Sequence, residues 1–350
     1  MLENAADIDE VVTIFAGKFR RYHNEAWWQR ILDIKTHLLN ARDVFYIALG
    51  FFQSLKVVRR YRPSAVFLKG GFVGVPVGLA AGIKKKPIMT HDSDAVAGLA
   101  NRLVSRYVSI HATALEADNY PYISNKVQQV GVIVSHKYQP VGEPDKKDAK
   151  NKLDIPKDAK LVLVTGGSTG STAINTGVEK LYDRLFNSHS NLYIIHQTGK
   201  GKAGNPEQFK KYSRLQRLEL LENMYMYSAA ADIIVSRAGA NTLAEFAVQG
   251  KACVVVPSPH LPAGHQLRNA DYYEKRGAIA TVAQEELEAS PGILYDAIDG
   301  LLADDTQRSE LAERLHQELH HGAGEMIAKK LYDLAETYDA NDKARETDVS

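Results

Sequence analysis

The sequence predicts an α/β protein with doubly wound, parallel sheets that are covered by helices on both faces. Apolar, β-branched runs alternate with helical patterns along the 350 residues, which is the order of strands and helices in such folds. Several runs are continuously apolar rather than alternating, as is typical of parallel strands buried on both faces. Small-residue turns follow some of these runs and lead into helical patterns, which places turns at the carboxyl ends of strands.

The predicted elements divide the chain into two parts. The segment 136–160 turns polar and rich in Lys, Asp and Pro, and it is the best candidate for a linker. The last fifteen or so residues are charged and poor in large apolar groups, so we expect a frayed tail. The predicted domains are 1–138, 139–158 (the linker), 159–320, and 321–350 (a helix and polar tail). The strand candidates are 11–15, 65–68, 87–90, 108–112, 127–134, 161–165, 192–196, 232–235 and 252–256.

The composition excludes several classes of function. The 43 Lys and Arg residues balance 42 Asp and Glu residues, so no global basic field indicates a nucleic-acid partner. Cys253 is the single cysteine, which rules out an intramolecular disulfide and fits a reducing compartment. No apolar run approaches the roughly 20 residues needed to cross a bilayer, and the N-terminus does not resemble a signal peptide.

The most informative motif is the small-residue turn at residues 236–240, which follows the apolar run 232–235. Backbone N–H groups at the start of the next helix favour an anion such as a diphosphate. Glu245 follows about one and a half helical turns later, where its carboxylate can point back and accept hydrogen bonds from sugar hydroxyls. The motif therefore predicts a nucleotide-sugar site.

Two further glycine turns follow strand candidates. Gly166 and Gly167 permit positive φ and a close approach to phosphate, and Ser168 adds a hydroxyl donor. This turn is not a Walker A loop, because no Gly-Lys-Ser/Thr ending follows. The turn at Gly70 and Gly71 has the same character. Each turn can equally be a tight connection that binds no ligand.

Polar residues follow two other strand candidates. His91 lies beside Asp92, and such a pair can supply a general base; the alternative is that Asp94 or its neighbour only caps the next helix. Gln266 and Asn269 lie one turn apart on one helix face, where they can hydrogen-bond a sugar. The histidines near Gln266 lack a third ligand, so no metal site is predicted.

Taken together, these motifs resemble the MurG family of bacterial glycosyltransferases, from about residue 8 to about residue 335. Members of the family transfer N-acetylglucosamine from UDP-GlcNAc to undecaprenyl-diphospho-MurNAc-pentapeptide, which is lipid I. The matching motifs, in chain order, are Gly70-Gly71-Phe72-Val73 with Pro76, His91-Asp92-Ser93-Asp94 with Gly98-Leu99-Ala100-Asn101-Arg102, Gly166-Gly167-Ser168, His196-Gln197-Thr198-Gly199, Ser236-Arg237-Ala238-Gly239-Ala240 with Glu245, and Pro257-Ser258-Pro259 leading to His265-Gln266 and Asn269-Ala270.

The resemblance implies a GT-B fold, with two Rossmann-like domains facing a cleft and the donor held by residues 159–320. It places Glu245 at the ribose hydroxyls and the backbone of Leu221 at uracil. It implies no cofactor and no divalent cation, with UDP-GlcNAc as the substrate. The acceptor-binding residues it implies are Gly70, Gly71 and Asp94. The donor-binding residues it implies are Gly166, Gly167, Ser168, Gly239 and Ala240 at the diphosphate, Arg237 at the leaving group, Gln266 and Asn269 at GlcNAc, and Leu221 and Glu245 at the nucleoside.

The N-terminal part departs from the family pattern. Family members open with a strand and a Gly-Gly-x-x-Gly-His loop, whose histidine is a favoured candidate for the catalytic base. This sequence shows no such loop and begins near the third strand of the family, so we expect an incomplete N-terminal domain. Either the gene model is truncated or a separate chain supplies the segment. His91 or Asp92 is then the fallback base, and the alternative is that both only hold the acceptor.

Two smaller departures from the family pattern remain. Asp92 stands where the family usually has Glu, and residues 131–135 replace a common Gly-Asn-Pro-Val-Arg.

Three functional interpretations follow from the motifs. The first is an inverting hexosyltransferase that forms lipid II in peptidoglycan synthesis. The alternatives are another GT-B transferase with a UDP-sugar donor, or a non-catalytic protein that binds UDP-sugars.

A polyprenyl acceptor implies peripheral binding to the cytoplasmic face of the bacterial membrane. The segment 18–23 and Trp27 with Trp28 mix basic and aromatic groups, and the apolar stretch 44–52 is followed by Lys56 and three arginines. Such mixtures favour an anionic lipid surface. The alternative is that these aromatic residues belong to a domain core.

Overall fold

The computed structural model describes residues 8–17 and 34–347, which form two compact α/β units. The first unit contains the described residues up to Gly131 and those from Gly322 on, and the second runs from Val132 to His321. None of the helices in the described part of the chain has the length and hydropathy needed to cross a membrane.

The first unit has a four-stranded sheet in the order β1-β2-β3-β4, with every pair parallel. Helices α2 and α3 connect its strands, and the long helices α1 and α13 also belong to this unit. The elements are α1 (Ile34–Tyr61), β1 (Val66–Leu68), α2 (Gly74–Ile83), β2 (Ile88–Asp92), α3 (Leu99–Val104), β3 (Ile110–Thr113), β4 (Val127–Gln129) and α13 (Ala323–Thr347).

The second unit has a six-stranded parallel sheet in the order β10-β9-β8-β5-β6-β7. Its elements are α4 (Glu143–Lys152), β5 (Lys160–Thr165), α5 (Thr172–Glu179), α6 (Tyr182–Ser188), β6 (Leu192–Gln197), β7 (Leu215–Leu218), α7 (Met224–Ala230), β8 (Ile233–Ser236), α8 (Ala240–Val248), β9 (Ala252–Val255), α9 (His265–Glu274), β10 (Ala280–Thr281), α10 (Gln284–Ala289), α11 (Gly292–Ala303) and α12 (Asp305–Gln317).

The strands of the second unit are apolar throughout because both faces of the sheet are covered. Leu161 and Leu163 of β5 pack on the side of α4, α7, α8, α9 and α12, whereas Val162 and Val164 pack on the side of α5, α6, α10 and α11. All four side chains are fully buried. The first strand of the unit, β5, is central, and the chain proceeds outward to β7 on one side and to β10 on the other. Ligands of such sheets bind beyond the carboxyl ends of the strands at this point of reversal.

One strand prediction was wrong. Residues 11–15 are not a strand but an irregular segment that lies along α1. The Phe15 ring stacks on Tyr46 at a centroid distance of 5.5 Å, and the Phe15 N–H donates to Gln53 Oε1 at 2.7 Å. A Cβ on Gly50 would lie 1.8 Å from Phe15 O, so the segment contacts the helix backbone itself. The apolar residues of this run therefore meet a helix instead of a sheet edge.

Other boundaries also differ from the sequence prediction. The candidate at 127–134 ends at Gln129, and Gly131 adopts a φ of 86° that extended strands do not use. Strands β7 and β10 were missed because β7 is short and carries Gln216 and Arg217, and β10 has two residues. The expected frayed tail is helical as far as Thr347.

The predicted linker contains helix α4. Its first turn carries Glu143 and Asp145 and its last turn Lys150 and Lys152, which suits the helix dipole. The Asp145 carboxylate accepts a hydrogen bond from Gly142 N–H at 3.0 Å and caps the helix. The Lys, Asp and Pro content that indicated a linker is thus the composition of a charged, well-capped helix.

Candidate functional site

The glycine turn after β5 is held against the turn after β6. Gly167 and Gly170 adopt φ values of 81° and 66°. A Cβ on Gly170 would lie 1.9 Å from Thr198 O, so no other residue fits there without moving the backbone. Gln197 Nε2 donates to Gly167 O at 3.0 Å. The exposed Ser168 lies at the tip of the turn, at the carboxyl edge of the sheet.

The turn after β8 leads directly into α8. Gly239 is the N-cap of that helix, with an extended backbone and no side-chain cap. Ala240 begins the helix, so N–H groups of its first turn point toward the carboxyl edge of the sheet. A phosphate group there gains both hydrogen bonds and the favourable end of the helix dipole. Arg237 Nη1 donates to Val256 O at 2.9 Å, which fixes this side chain across β8 and β9.

Glu245 is half-buried on α8. Burial raises the pKa of its carboxyl, and the nearby Tyr138 hydroxyl opposes that rise. Burial also raises the pKa of Tyr138, and the negative charge of Glu245 raises it further. The sequence analysis did not single out Tyr138, because it lies in the stretch that was assigned to the end of the first domain.

Gln266 and Asn269 brace the neighbouring turns. Gln266 Oε1 accepts a hydrogen bond from Ser258 N–H at 3.0 Å, and Asn269 Nδ2 donates to Ala238 O at 2.9 Å. Helix α9 thus ties the loop after β9 to the turn after β8. The contacts of these two side chains with GlcNAc stay a prediction, as does the contact of Leu221, whose side chain is buried, with uracil.

A cavity of about 340 Å³ lies in the second unit, between α5 and α10 and below the loops after β8 and β9. Its lining mixes hydroxyl, basic, acidic and amide groups and includes Thr172, Thr176, Lys180, Arg237, Ser258, His260, Gln284 and Glu288. No cluster of three or more His, Cys, Asp or Glu side chains suited to a metal ion occurs within residues 8–17 and 34–347.

In the first unit, His91 and Asp92 end β2 and are buried. His91 Nε2 lies 2.9 Å from Gly131 O, and because a carbonyl oxygen only accepts, this nitrogen carries the proton. Asp92 accepts hydrogen bonds from Gly98 N–H at 2.8 Å and from the Tyr122 hydroxyl at 2.7 Å. Burial lowers the pKa of His91 and raises that of Asp92. Both side chains are thus engaged by the unit's own backbone and side chains.

The predicted acceptor residues lie around the end of β2. Gly70 and Gly71 adopt φ values of 88° and 82°, which is why glycine occupies this turn. A Cβ on Gly70 would approach Asn101 Nδ2 to 3.9 Å, and Asn101 Nδ2 donates to His91 O at 3.0 Å. The backbone carbonyl of Asp94 accepts a hydrogen bond from the Tyr120 hydroxyl at 3.0 Å. The glycine turn and the His91 segment are therefore neighbours.

Comparison with known proteins identifies both units. Residues 32–113 match the glycosyltransferase family 28 N-terminal domain, and residues 161–336 match the glycosyltransferase family 28 C-terminal domain. A protein of Salinibacter ruber is 32% identical over 299 residues, which cover 85% of this chain and 79% of that protein. A protein of Acetivibrio thermocellus is 33% identical over 292 residues, covering 82% and 76%. Both are named UDP-N-acetylglucosamine–N-acetylmuramyl-(pentapeptide) pyrophosphoryl-undecaprenol N-acetylglucosamine transferase.

The crystal structure of Acinetobacter baumannii MurG has the same fold. It superposes with a TM-score of 0.65 at 25% identity, covering 83% of this chain and 79% of that one. Two parallel-sheet α/β units that resemble this glycosyltransferase give the chain a GT-B fold, which confirms the fold class predicted from the sequence.

Proposed function

Because this chain belongs to the MurG family of glycosyltransferases, we propose that it transfers GlcNAc from UDP-GlcNAc to undecaprenyl-diphospho-MurNAc-pentapeptide in peptidoglycan synthesis. One structural observation supports this most. The turns at 166–170 and 236–240 and the carboxylate of Glu245 follow β5 and β8, the two strands between which the sheet order reverses. This is the ligand-binding edge of a doubly wound sheet.

The donor is proposed to lie across these two turns. The diphosphate faces Ser168 and the N–H groups at the start of α8, and the ribose hydroxyls donate to Glu245. An ionised carboxylate has about four lone-pair sites, so it can accept both ribose hydroxyls together. Gln266 and Asn269 stand at the sugar end of the same edge.

The transfer is a single displacement at the anomeric carbon of GlcNAc. The 4-hydroxyl oxygen of MurNAc forms a bond to C1 while the bond from C1 to the β-phosphate oxygen breaks, and a base takes the hydroxyl proton. UDP departs with the bonding electrons. The N–H groups of the first turn of α8, together with Arg237, stabilise the charge that develops on the phosphate.

His91 and Asp92 are proposed to hold the acceptor side of the first unit and not to act as the base. Their hydrogen bonds to Gly131, Gly98 and Tyr122 support this choice. A base must present a lone pair to the substrate hydroxyl within hydrogen-bond reach. Nε2 of His91 donates to Gly131 and Nδ1 lies 3.4 Å from the Ser93 hydroxyl. Both side chains are buried, with 1% of His91 and 5% of Asp92 exposed, so neither presents a free lone pair at the surface where a substrate hydroxyl would lie.

Two measurements test the proposal. The purified chain, supplied with UDP-GlcNAc and the lipid-linked acceptor, should form the disaccharide product, and UDP-glucose should be a much poorer donor. Glu245→Ala should weaken UDP binding by about 1.5–3 kcal/mol, the usual loss for a hydrogen bond to a charged group. Glu274→Ala, which removes an exposed carboxylate on α9, is the matched control. Equal UDP affinity of the wild type and Glu245→Ala would remove Glu245 from the donor site.

The same proposal requires that the first unit approach a lipid surface. Helix α1 carries Phe45 and Phe52, whose exposed fractions are 60% and 68%. The exposed Lys56, Arg59 and Arg60 follow on the same helix. Aromatic groups beside basic ones favour an anionic bilayer interface. Segment 18–23 and Trp27 with Trp28, which the sequence reading also assigned to the membrane, lie outside the described residues.

Vesicle sedimentation tests the membrane contact. Binding should require anionic lipid and decline as salt rises. Changing both Arg59 and Arg60 to Glu should cost at least about 2 kcal/mol, at about 1 kcal/mol per basic residue near the surface. The same change at Lys210 and Lys211, which are exposed in the second unit, should have little effect. Binding that is indifferent to salt and to Arg59 and Arg60 would contradict a role for this helix.

A further inference from the structure

We propose that His196 is a positioning residue of the donor site, which holds the turn 166–170 (the donor turn) in place through a one-way chain of buried hydrogen bonds. This inference rests on the proposed function, because it assumes that the donor turn binds the diphosphate. His196 belongs to one of the motifs shared with the family, yet its burial keeps it away from any substrate.

His196 is a fully buried polar residue on the apolar face of a strand. Leu192, Ile194 and His196 share one face of β6, because side chains alternate along a strand. The first two of them pack into the core on the side of α5 and α6. An aliphatic side chain would cost less to bury there, because each buried polar atom needs a hydrogen-bond partner. The histidine therefore has to be explained by the bonds that it makes.

The direction of these hydrogen bonds is fixed at the two ends of the chain. Arg217 Nη1 lies 3.0 Å from the Tyr182 hydroxyl oxygen and can only donate, so the hydroxyl proton points to His196 Nδ1, 2.5 Å away. At the other end Asn175 Nδ2 donates to Thr198 O at 2.8 Å, because a carbonyl oxygen only accepts. The remaining amide oxygen, Asn175 Oδ1, lies 3.0 Å from His196 Nε2. His196 therefore accepts at Nδ1 and donates at Nε2.

One ionisation state and one tautomer of His196 satisfy this chain. Burial lowers the pKa of His196 to about 3, and the Arg217 charge adds to this effect, so the ring is neutral and carries a single proton at neutral pH. That proton lies on Nε2, because Nδ1 accepts from Tyr182. A half turn of the ring would place carbon atoms where both nitrogens form their bonds. The ring is therefore locked in one orientation.

The last bond of the chain reaches the backbone on which the donor turn rests. A Cβ on Gly170 would lie 1.9 Å from Thr198 O, and a Cβ on Gly199 would lie 2.5 Å from the Gly170 backbone. The two turns therefore touch along their backbones, and a shift of the Thr198 carbonyl displaces the donor turn. Asn175 holds that carbonyl, and His196 holds Asn175.

The other end of the chain is anchored away from the donor turn. Arg217 Nη2 donates to Glu179 Oε1 at 2.7 Å and to Ala203 O at 2.8 Å. The four side chains that form the chain come from α5, α6, β6 and β7. A fully satisfied buried network of this kind makes the packing of its elements rigid and unique. The position of the donor turn therefore depends on the bonds of His196 as well as on its own glycines.

Two substitutions of His196 separate its hydrogen bonds from its bulk. Gln can accept from Tyr182 through Oε1 and donate to Asn175 through Nε2, whereas Leu can do neither. Calorimetric titration of the full chain with UDP should show a loss of roughly tenfold in affinity for His196→Leu, and a loss of less than roughly threefold for His196→Gln. Nitrogen NMR of isotope-labelled histidine should show the His196 proton on Nε2, in a signal that is absent from His196→Gln.

A pair of tyrosine variants gives a milder break in the chain and decides the matter where His196→Leu does not fold. Tyr182→Phe should weaken UDP binding by roughly threefold, because the His196 ring loses one of its two bonds. Tyr295→Phe is the matched control, since it removes a tyrosine hydroxyl that donates to Asp299 Oδ1 at 3.1 Å in the same core cluster. This control should bind UDP as the wild type does.

The outcomes separate this inference from the proposed function. If Glu245→Ala weakens UDP binding while the His196 and Tyr182 variants bind UDP as the wild type does, the inference is wrong and the donor site stands. The inference is also wrong if His196→Gln loses as much affinity as His196→Leu, if Tyr295→Phe loses as much as Tyr182→Phe, or if the His196 proton lies on Nδ1. If Glu245→Ala and Gly170→Ala both leave UDP affinity unchanged, the donor does not bind at this edge and both proposals fail.

Discussion

A pair of substitutions at Asp92 distinguishes a catalytic base from a structural carboxylate. Asp92 accepts hydrogen bonds from Gly98 N–H at 2.8 Å and from the Tyr122 hydroxyl at 2.7 Å. Asn at this position can still accept from Gly98 through Oδ1 and can donate from Nδ2 to the Tyr122 oxygen. Asp92→Asn thus keeps both contacts and removes the basicity, whereas Asp92→Ala removes both contacts.

The expected magnitudes follow from these contacts. Asp92→Ala removes two hydrogen bonds, at about 0.5–1.5 kcal/mol for each, because Gly98 is exposed and Tyr122 half-buried and both donors can turn to water. We therefore expect β2 to lose about 1–3 kcal/mol of local stability. Asp92→Asn should stay within about 1 kcal/mol of the wild type, because the bonds are retained. If Asp92 only holds the structure, the Asn variant should also transfer GlcNAc within a few-fold of the wild-type rate.

Two assays are needed on the same variants. Hydrogen exchange of the amides in β2 reports the local stability of the first unit, and product formation at saturating UDP-GlcNAc reports turnover. Removal of a general base costs about 10²–10⁴-fold in rate. If the Asp92→Asn variant shows unchanged hydrogen exchange but a turnover rate at least about 100-fold lower than the wild type, the structural interpretation is refuted and Asp92 is identified as the base.

Two further predictions concern the second unit. Asp232→Asn should destabilise it by about 3–5 kcal/mol, because Lys150, whose Nζ lies 2.7 Å from the Asp232 carboxylate, is left buried without its counter-charge. Burial raises the pKa of Asp232, but the opposing interactions, of which the Lys150 charge is the largest, hold that pKa below its usual range. The ion pair therefore contributes to the free energy of unfolding above about pH 4, and this contribution is lost as the pH falls through the pKa of Asp232 in the folded protein. Urea unfolding across pH should show the loss at acid pH in the wild type and not in the variant. Gly170→Ala should abolish UDP binding, because the new Cβ would lie 1.9 Å from Thr198 O at a residue with a φ of 66°. Gly250→Ala is the control for backbone strain alone, because Gly250 has a φ of 61° and a Cβ there would meet no atom within 4 Å. Unchanged UDP affinity of Gly170→Ala would show that the turn is not part of the site.

The sequence by itself determined the features that local residues encode. Continuous apolar runs are buried strands in the second unit because both faces of its sheet are covered. The glycines at 166–170 stand where positive φ and close backbone contact are required. The order and spacing of these turns were enough to indicate the family, since turn chemistry and strand burial each depend on only a few consecutive residues.

The tertiary structure decided which distant residues meet. The segment 11–15 has the composition of a strand, but it packs on α1 because the chain path brings it to a helix. The polar residues near 150 have the composition of a linker, but they form α4, and Lys150 of that helix pairs with Asp232 just before β8. Residues 132–138 were assigned to the first domain on the basis of the sequence, yet they belong to the second unit together with Glu245. Such contacts depend on how whole elements pack, and neither residue periodicity nor turn propensity within one segment carries that information.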